Sequence, residues 1–218
     1  MFETVIFDWD GTLADTRAAI VASFQQTLKE VDIQVPNSYI ERRMGIGASE
    51  TFREILKQAK RPVDETLVKA LVERKSMQQV NLKEQVQLFP GALKLLETLQ
   101  GKTKIGLASM NSRTVIDALV KSKGLESFFQ TVTTAEDVTH SKPHPEIFLK
   151  CAEQLNSLPS GCVVVEDSLF GVKAAKAAGM GCVAVTTGAY GKNELDAENP
   201  DLIVATLKSP EVLEFILS

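Results

Sequence analysis

Val5-Ile6-Phe7-Asp8-Trp9-Asp10-Gly11-Thr12-Leu13 decides how the rest of the chain is read. An apolar run rich in β-formers opens into two carboxylates two residues apart, then a glycine and a hydroxyl residue. That is the pattern of a strand ending in a site, and in parallel sheets the carboxyl ends of strands are where chemistry sits. Asp8 and Asp10 repel each other at this spacing. Either a cation or hydrogen-bond donors lie between them, or one of them holds a proton. A bound Mg²⁺ would answer the first case, and a nucleophile beside a general acid the second. Taken alone, Asp10-Gly11 reads equally well as an ordinary turn.

Working outward, the chain is 218 residues, long for one domain and short for two, which predicts a core with an insertion. Composition is that of an ordinary globular protein, 44% hydrophobic and 24% charged. A formal net charge of −4 leaves no electrostatic footprint for nucleic acid, and no basic stripe points to a membrane surface. A small molecule is the expected partner. Cys151, Cys162 and Cys182 sit in apolar segments without ligand-like spacing, which predicts buried thiols in a reducing compartment. With no signal peptide and no membrane-length apolar run, the expected location is the cytoplasm. Oligomeric state is left open.

Residues 16–85 read as helices only. Asp15 or Thr16 caps a first helix carrying Ile20, Phe24, Leu28 and Val31, and Ser38 with Glu41 fits a capping box for a second. Arg42 to Gly47 forms a loop, a third helix starts near Ser49, and a fourth runs from Asp64 towards Val80. From Phe89-Pro90-Gly91 onward, short strands at 104–108, 130–134, 162–165, 182–185 and 202–204 alternate with helices. One of these helices carries Leu93, Leu96 and Leu99, and Ser209-Pro210 opens the last. Alternation of this kind implies right-handed crossovers and a parallel sheet covered on both faces. The expected fold is therefore α/β, a Rossmann-like doubly wound parallel sheet formed by residues 1–15 and 86–218, with a small helical bundle inserted at 16–85.

Three further pieces follow the first motif in order. Ser109 ends the apolar run Lys104-Ile105-Gly106-Leu107-Ala108, Lys142 precedes Pro143, and Glu166-Asp167 follows Cys162-Val163-Val164-Val165. Together with Asp8 and Asp10 they resemble the four motifs of the haloacid dehalogenase superfamily of phosphotransferases. The start from Thr4 to Thr16 is similar to phosphoglycolate phosphatases and beta-phosphoglucomutases alike. One departure separates it from the mutases, which carry a histidine four residues after the threonine matching Thr16. Here that position is Ile20.

The resemblance implies a phosphatase acting on a small phosphorylated metabolite. Asp8 would be the nucleophile and Asp10 the general acid and base. Asp167 would hold Mg²⁺ with a carboxylate oxygen of Asp8 and the backbone carbonyl of Asp10, and Glu166 would be a further or water-mediated ligand. Lys142 would neutralise the phosphate and Asp8, and Ser109 with Asn111 would donate to the phosphate. Charge logic supports this independently, since an anionic nucleophile approaches a phosphate only with counter-charge present. Ser109 and Asn111 also have plain helix-capping readings, and Glu166-Asp167 that of a charged turn. The resemblance gives His140 and His144, which flank Lys142, no catalytic role.

The helical insertion resembles the cap that closes over the core in this superfamily and carries specificity. Arg42, Arg43 and the Gly45–Ala48 loop are the candidates there, with Lys75 behind them; for each basic residue a solvated helix face is the plain alternative. Two other classes stay in view. A phosphomutase shares the phosphoaspartate but passes the group to a sugar hydroxyl. A receiver-like signalling module also combines acids, Mg²⁺, a hydroxyl and a lysine, but places its acceptor aspartate on a later strand and lacks the insertion.

Overall fold

The computed structural model describes residues 1–218. Strand β1 (Thr4–Phe7) is the opening apolar run, buried along its whole length. A two-residue β2 (Ala14–Asp15) leads into four helices, α1 (Arg17–Lys29), α2 (Asn37–Glu41), α3 (Ala48–Gln58) and α4 (Glu65–Asn81), and the chain returns through β3 (Gln87–Leu88). Strands and helices then alternate as α5 (Ala92–Leu99), β4 (Lys104–Ala108), α6 (Arg113–Ser122), β5 (Thr131–Thr133), α7 (Glu146–Gln154), β6 (Cys162–Glu166), α8 (Leu169–Ala177), β7 (Gly181–Val185), α9 (Lys192–Asp196), β8 (Leu202–Val204) and α10 (Pro210–Leu217).

Six strands form one sheet in the order β5-β4-β1-β6-β7-β8, every neighbouring pair parallel. The chain winds outward from β1 to β4 and β5, then crosses back to lay β6 on the other side of β1. The reversal falls between β1 and β6, and ligands of doubly wound sheets bind outside the carboxyl ends at that point. The Rossmann-like sheet expected from the sequence is present.

The pleat sends successive side chains to opposite faces. Val5, Phe7, Val163 and Val165 join a core with α5, α6 and α10, while Ile6 and Val164 join a second core with α7 and α8. Burial on both faces is why these strands read as unbroken apolar runs rather than as alternation. The helices between β2 and β3 have a core of their own around Phe24, Leu28, Phe52 and Ile55, with the rings of Phe24 and Phe52 4.8 Å apart. Both crossings between the sheet and this helical insert are joined by the antiparallel β2–β3 pair, Ala14 opposite Leu88 and Asp15 opposite Gln87. Two residues per strand are too few for a periodic signal, and the sequence reading missed it.

Three local expectations are corrected. Ser38 and Glu41 make no capping box, because α2 starts at Asn37 with Pro36 at the N-cap. Gln25 Nε2 fixes that entry by donating to Val35 O and Asn37 Oδ1. Thr16 does stand at the N-cap of α1, but its hydroxyl makes no capping bond and is buried without a partner. Leu93 faces solvent, and Leu95, Leu96 and Leu99 carry the buried face of α5. All three cysteines are free and buried, and no helix is long and apolar enough to cross a membrane.

Candidate active site

The carboxyl ends of β1 and β6 bring Asp8 beside Glu166 and Asp167, and the loop before α7 delivers Lys142 between them. Lys142 Nζ donates to Asp8 Oδ1 at 2.7 Å and to Glu166 Oε1 at 2.6 Å, with its side chain wholly out of solvent. It also lies 4.7 Å above the ring of Phe148. Burial alone would lower the affinity of such an amine for its proton, but the two carboxylates outweigh it and push the Lys142 pKa up. This ammonium is charged at any physiological pH.

Glu166 has both oxygens engaged. Oε1 accepts from Lys142, and Oε2 accepts from the backbone N–H of Asp167 and Ser168, each at 2.8 Å, and from Ser168 Oγ at 3.0 Å. Its carboxylate therefore aims the lysine and satisfies orphan donors at the start of α8. It lies so close to Gly171 that a Cβ there would fall inside the carboxyl group. Gly171 is a site-shaping residue that the sequence reading did not single out.

Asp8, Glu166 and Asp167 present carboxylate oxygens within 4.8 Å of one another, all buried. Lys142 is the one cation hydrogen-bonded to them, which leaves the trio two positive charges short. Burial is the first cause that pushes the Asp8 and Asp167 carboxyls well above the usual range, and the neighbouring carboxylates add to it. Asp167 receives one hydrogen bond, from Thr12 Oγ1 at 3.0 Å, and is flanked by Gly11 and Gly188, where any Cβ would run into its carboxylate. An all-oxygen, anionic cluster of this kind fits a hard divalent cation such as Mg²⁺.

Asp10 is held on the other side of the site. Its Oδ2 accepts from Ser109 Oγ and from Asn111 Nδ2, both at 3.2 Å. Ser109, at the end of β4, also accepts from the backbone N–H of Asn111. The expected phosphate-side residues thus converge, and they bring a partner the sequence ranked low. Lys75 of α4 is buried, donating to Gln79 Oε1 at 2.5 Å and to Asn111 Oδ1 at 3.2 Å, with no carboxylate in ion-pair contact. Burial lowers its pKa to about 8, against the attraction of Asp10. The signal was available: Val68, Leu71, Lys75, Ser76 and Gln79 recur at helical spacing on the buried side of α4.

Asp8, Asp10, Lys75 and Asn111 line a cavity of about 40 Å³, closed on the helical side by Ile20, Phe24, Ile40 and Met44. Arg43 lines it too, but its charge is already taken. Nε pairs with Glu54, and the guanidinium stacks 3.6 Å from the centre of the Tyr39 ring. Arg42 points elsewhere, to Glu194 Oε1 at 2.6 Å and over Tyr190, tying the helical insert to α9 and the loop before it. Gly45 from the Gly45–Ala48 loop sits directly on Ser168.

Residues 5–185 match the family of haloacid dehalogenase-like hydrolases. Pyrophosphatase PpaX of Oceanobacillus iheyensis is 31% identical, over 94% of this chain and 93% of that protein. A hydrolase from Pseudomonas syringae superimposes with a TM-score of 0.90 at 25% identity, covering 99% of this chain and 100% of its own. A beta-phosphoglucomutase from Clostridium difficile gives 0.87 at 28% identity, with full coverage of both chains. Sequence match, sheet order and the convergence of Asp8, Ser109, Lys142 and Asp167 agree, and the chain belongs to the haloacid dehalogenase-like hydrolase family of enzymes.

Proposed function

We propose that the protein is a Mg²⁺-dependent phosphatase that hydrolyses a small organic phosphomonoester through a phosphoaspartate at Asp8. The observation that carries this reading is the buried ion pair between Lys142 and Asp8 beside an anionic pocket short of positive charge. A carboxylate whose charge a fixed ammonium partly offsets can attack phosphorus in line, breaking the bond to the leaving oxygen. Asp10 gives that oxygen a proton. It then takes one from the water that attacks phosphorus in the phosphoaspartate, releasing inorganic phosphate and restoring the Asp8 carboxylate.

Asp8, Asp167 and the backbone carbonyl of Asp10 would hold Mg²⁺, with Glu166 behind them. When bound, the ion supplies counter-charge to the phosphate and the nucleophile. The donors of Ser109 and Asn111, engaged by Asp10 here, would turn to phosphate oxygens. Residues 16–85 act as a cap that excludes water from the phosphoaspartate. The cavity beside Asp8 and Asp10, walled by Ile20, Phe24, Ile40 and Met44, would receive the leaving group. Lys75, a buried cation without an anionic partner, supports a leaving group that carries an anionic oxygen of its own. PpaX relatives are named as pyrophosphatases, and the leaving group of pyrophosphate is likewise an anion. Three buried free thiols suit a cytoplasmic setting.

A phosphomutase is the second reading, favoured by the likeness to the C. difficile enzyme. Against it, Ile20 is a buried wall of the pocket where those mutases carry histidine. Incubation with a sugar 1-phosphate separates the two, since inorganic phosphate without isomer is the hydrolase result. The broader test is turnover of an aryl phosphate. Activity should require Mg²⁺, vanish with a chelator and return on re-addition; turnover undiminished by chelation contradicts the reading.

A further inference from the structure

His140 and His144 take no part in the chemistry above, yet the fold stacks them on the surface at either end of the turn that carries Lys142. Their ring centres are 4.5 Å apart. His140 Nδ1 meets one carboxylate, Glu146 at the start of α7, and His144 Nδ1 lies near the same carboxylate while accepting from the Glu146 backbone N–H at 3.3 Å. Glu146 Oε2 lies 2.8 Å from His140 Nδ1 and 3.9 Å from His144 Nδ1. The same carboxylate is fixed from behind, Oε1 by the backbone N–H of Thr139 and Oε2 by that of His140, each at 2.9 Å. It is therefore a positioned anion rather than a mobile one. These donors pull the Glu146 pKa down to about 2, so it stays ionised.

We propose that His140, His144 and Glu146 form a surface site for a borderline divalent ion of the zinc class, separate from the Mg²⁺ locus. Two imidazole nitrogens and one carboxylate oxygen are the donor set that Zn²⁺, Co²⁺ and Ni²⁺ take in preference to Mg²⁺, which wants oxygen alone. Half-exposed rings leave the remaining coordination positions to water. To admit an ion, His140 Nδ1 gives up its contact with Glu146 Oε2 and His144 Nδ1 its contact with the Glu146 backbone N–H, and both rings are half-exposed and free to turn. Binding would brace the turn that presents Lys142, because its two imidazole ligands stand two residues to either side of it.

The test is calorimetric titration of the whole Mg²⁺-saturated protein with Zn²⁺, together with the visible absorption of the Co²⁺ form. One equivalent should bind without displacement by excess Mg²⁺. His140→Ala and His144→Ala should each weaken it at least about tenfold, and the Co²⁺ spectrum should lose intensity. Metal-stripped variants, reloaded with Mg²⁺ alone, should keep their melting temperature and their basal turnover, since neither ring touches the site. Equal affinity in the variants, or displacement by Mg²⁺, overturns the proposal. Neither readout depends on which phosphate ester is hydrolysed, so the phosphatase reading stands or falls separately.

Discussion

Lys142 Nζ and Asp8 Oδ1 lie 2.7 Å apart although 134 positions separate them in the chain, and both side chains are out of water. The sheet order that sets β1 beside β4 and β5, and the packing of α7 against those three strands, bring them together. Such a pair is costly to build and costlier to break, because removing one partner strands the other.

Lys142→Met should therefore stop turnover and also lower stability by about 3–5 kcal/mol, read as a shifted denaturant midpoint. Lys142→Arg should not rescue it, since the longer planar fork cannot fill the slot between Asp8, Glu166 and Phe148. A Lys142→Met protein of wild-type stability would mean that the trio of carboxylates is not charged as described.

Asp10→Asn keeps an acceptor for Ser109 and Asn111 but loses the proton it would transfer. Turnover should fall about 10²- to 10⁴-fold with the melting temperature nearly unchanged. The loss should be smaller for an aryl phosphate with a good leaving group than for an alkyl one, and equal losses would remove Asp10 as the general acid.

Gly171→Ala gives opposite expectations from sequence and from structure. Helix propensity alone says that alanine stabilises a helix interior by about 1 kcal/mol. The approach of Glu166 to this position says that the carboxylate must move, destabilising the protein by about 1–3 kcal/mol and releasing Lys142 from its aim. Differential scanning calorimetry with a kinetic assay distinguishes the two.

Lys75 sets a pH dependence with a definite sign. Its pKa in the folded chain is about 8 against an ordinary 10.5, so between those values the unfolded chain holds the extra proton and stability rises with pH. Binding of an anionic leaving group runs the other way, and kcat/KM should fall as the amine loses its proton above pH about 8. Lys75→Met should abolish that descending limb, raise KM more than it lowers kcat, and leave the protein no less stable at neutral pH. A kcat/KM profile with the same limb in Lys75→Met assigns the ionisation elsewhere.

Much of this was legible in the chain. Val5 to Phe7 and Cys162 to Val165 read as buried strands because both faces of a parallel sheet are covered, and the motif residues at their ends follow from that. What the sequence hid has a common cause, namely contacts made between distant segments. Lys75 and Gln79 are ordinary polar helix residues until α4 packs against the loop after β4. Arg43 reads as a free cation until Glu54, one helix later, takes its charge. β2 and β3 exist only as a pair, and the Ser38 capping box lost to Pro36 because Gln25 fixes that turn from another helix.

Removing Mg²⁺ should be felt by the fold as well as by turnover, since an ion that binds only the native state stabilises it by mass action. The melting temperature should rise with Mg²⁺ in the wild type and respond much less in Asp167→Asn. An equal response in that variant would place the ion away from Asp167.

The central claim is that Asp8 carries the phosphoryl group, and a crystal structure grown with Mg²⁺ and beryllium fluoride tests it most directly. Trifluoroberyllate should be found bonded to a carboxylate oxygen of Asp8, with Lys142, Ser109 and Asn111 donating to its fluorines. Trifluoroberyllate bonded to another side chain, with Asp8 bare, would contradict the account.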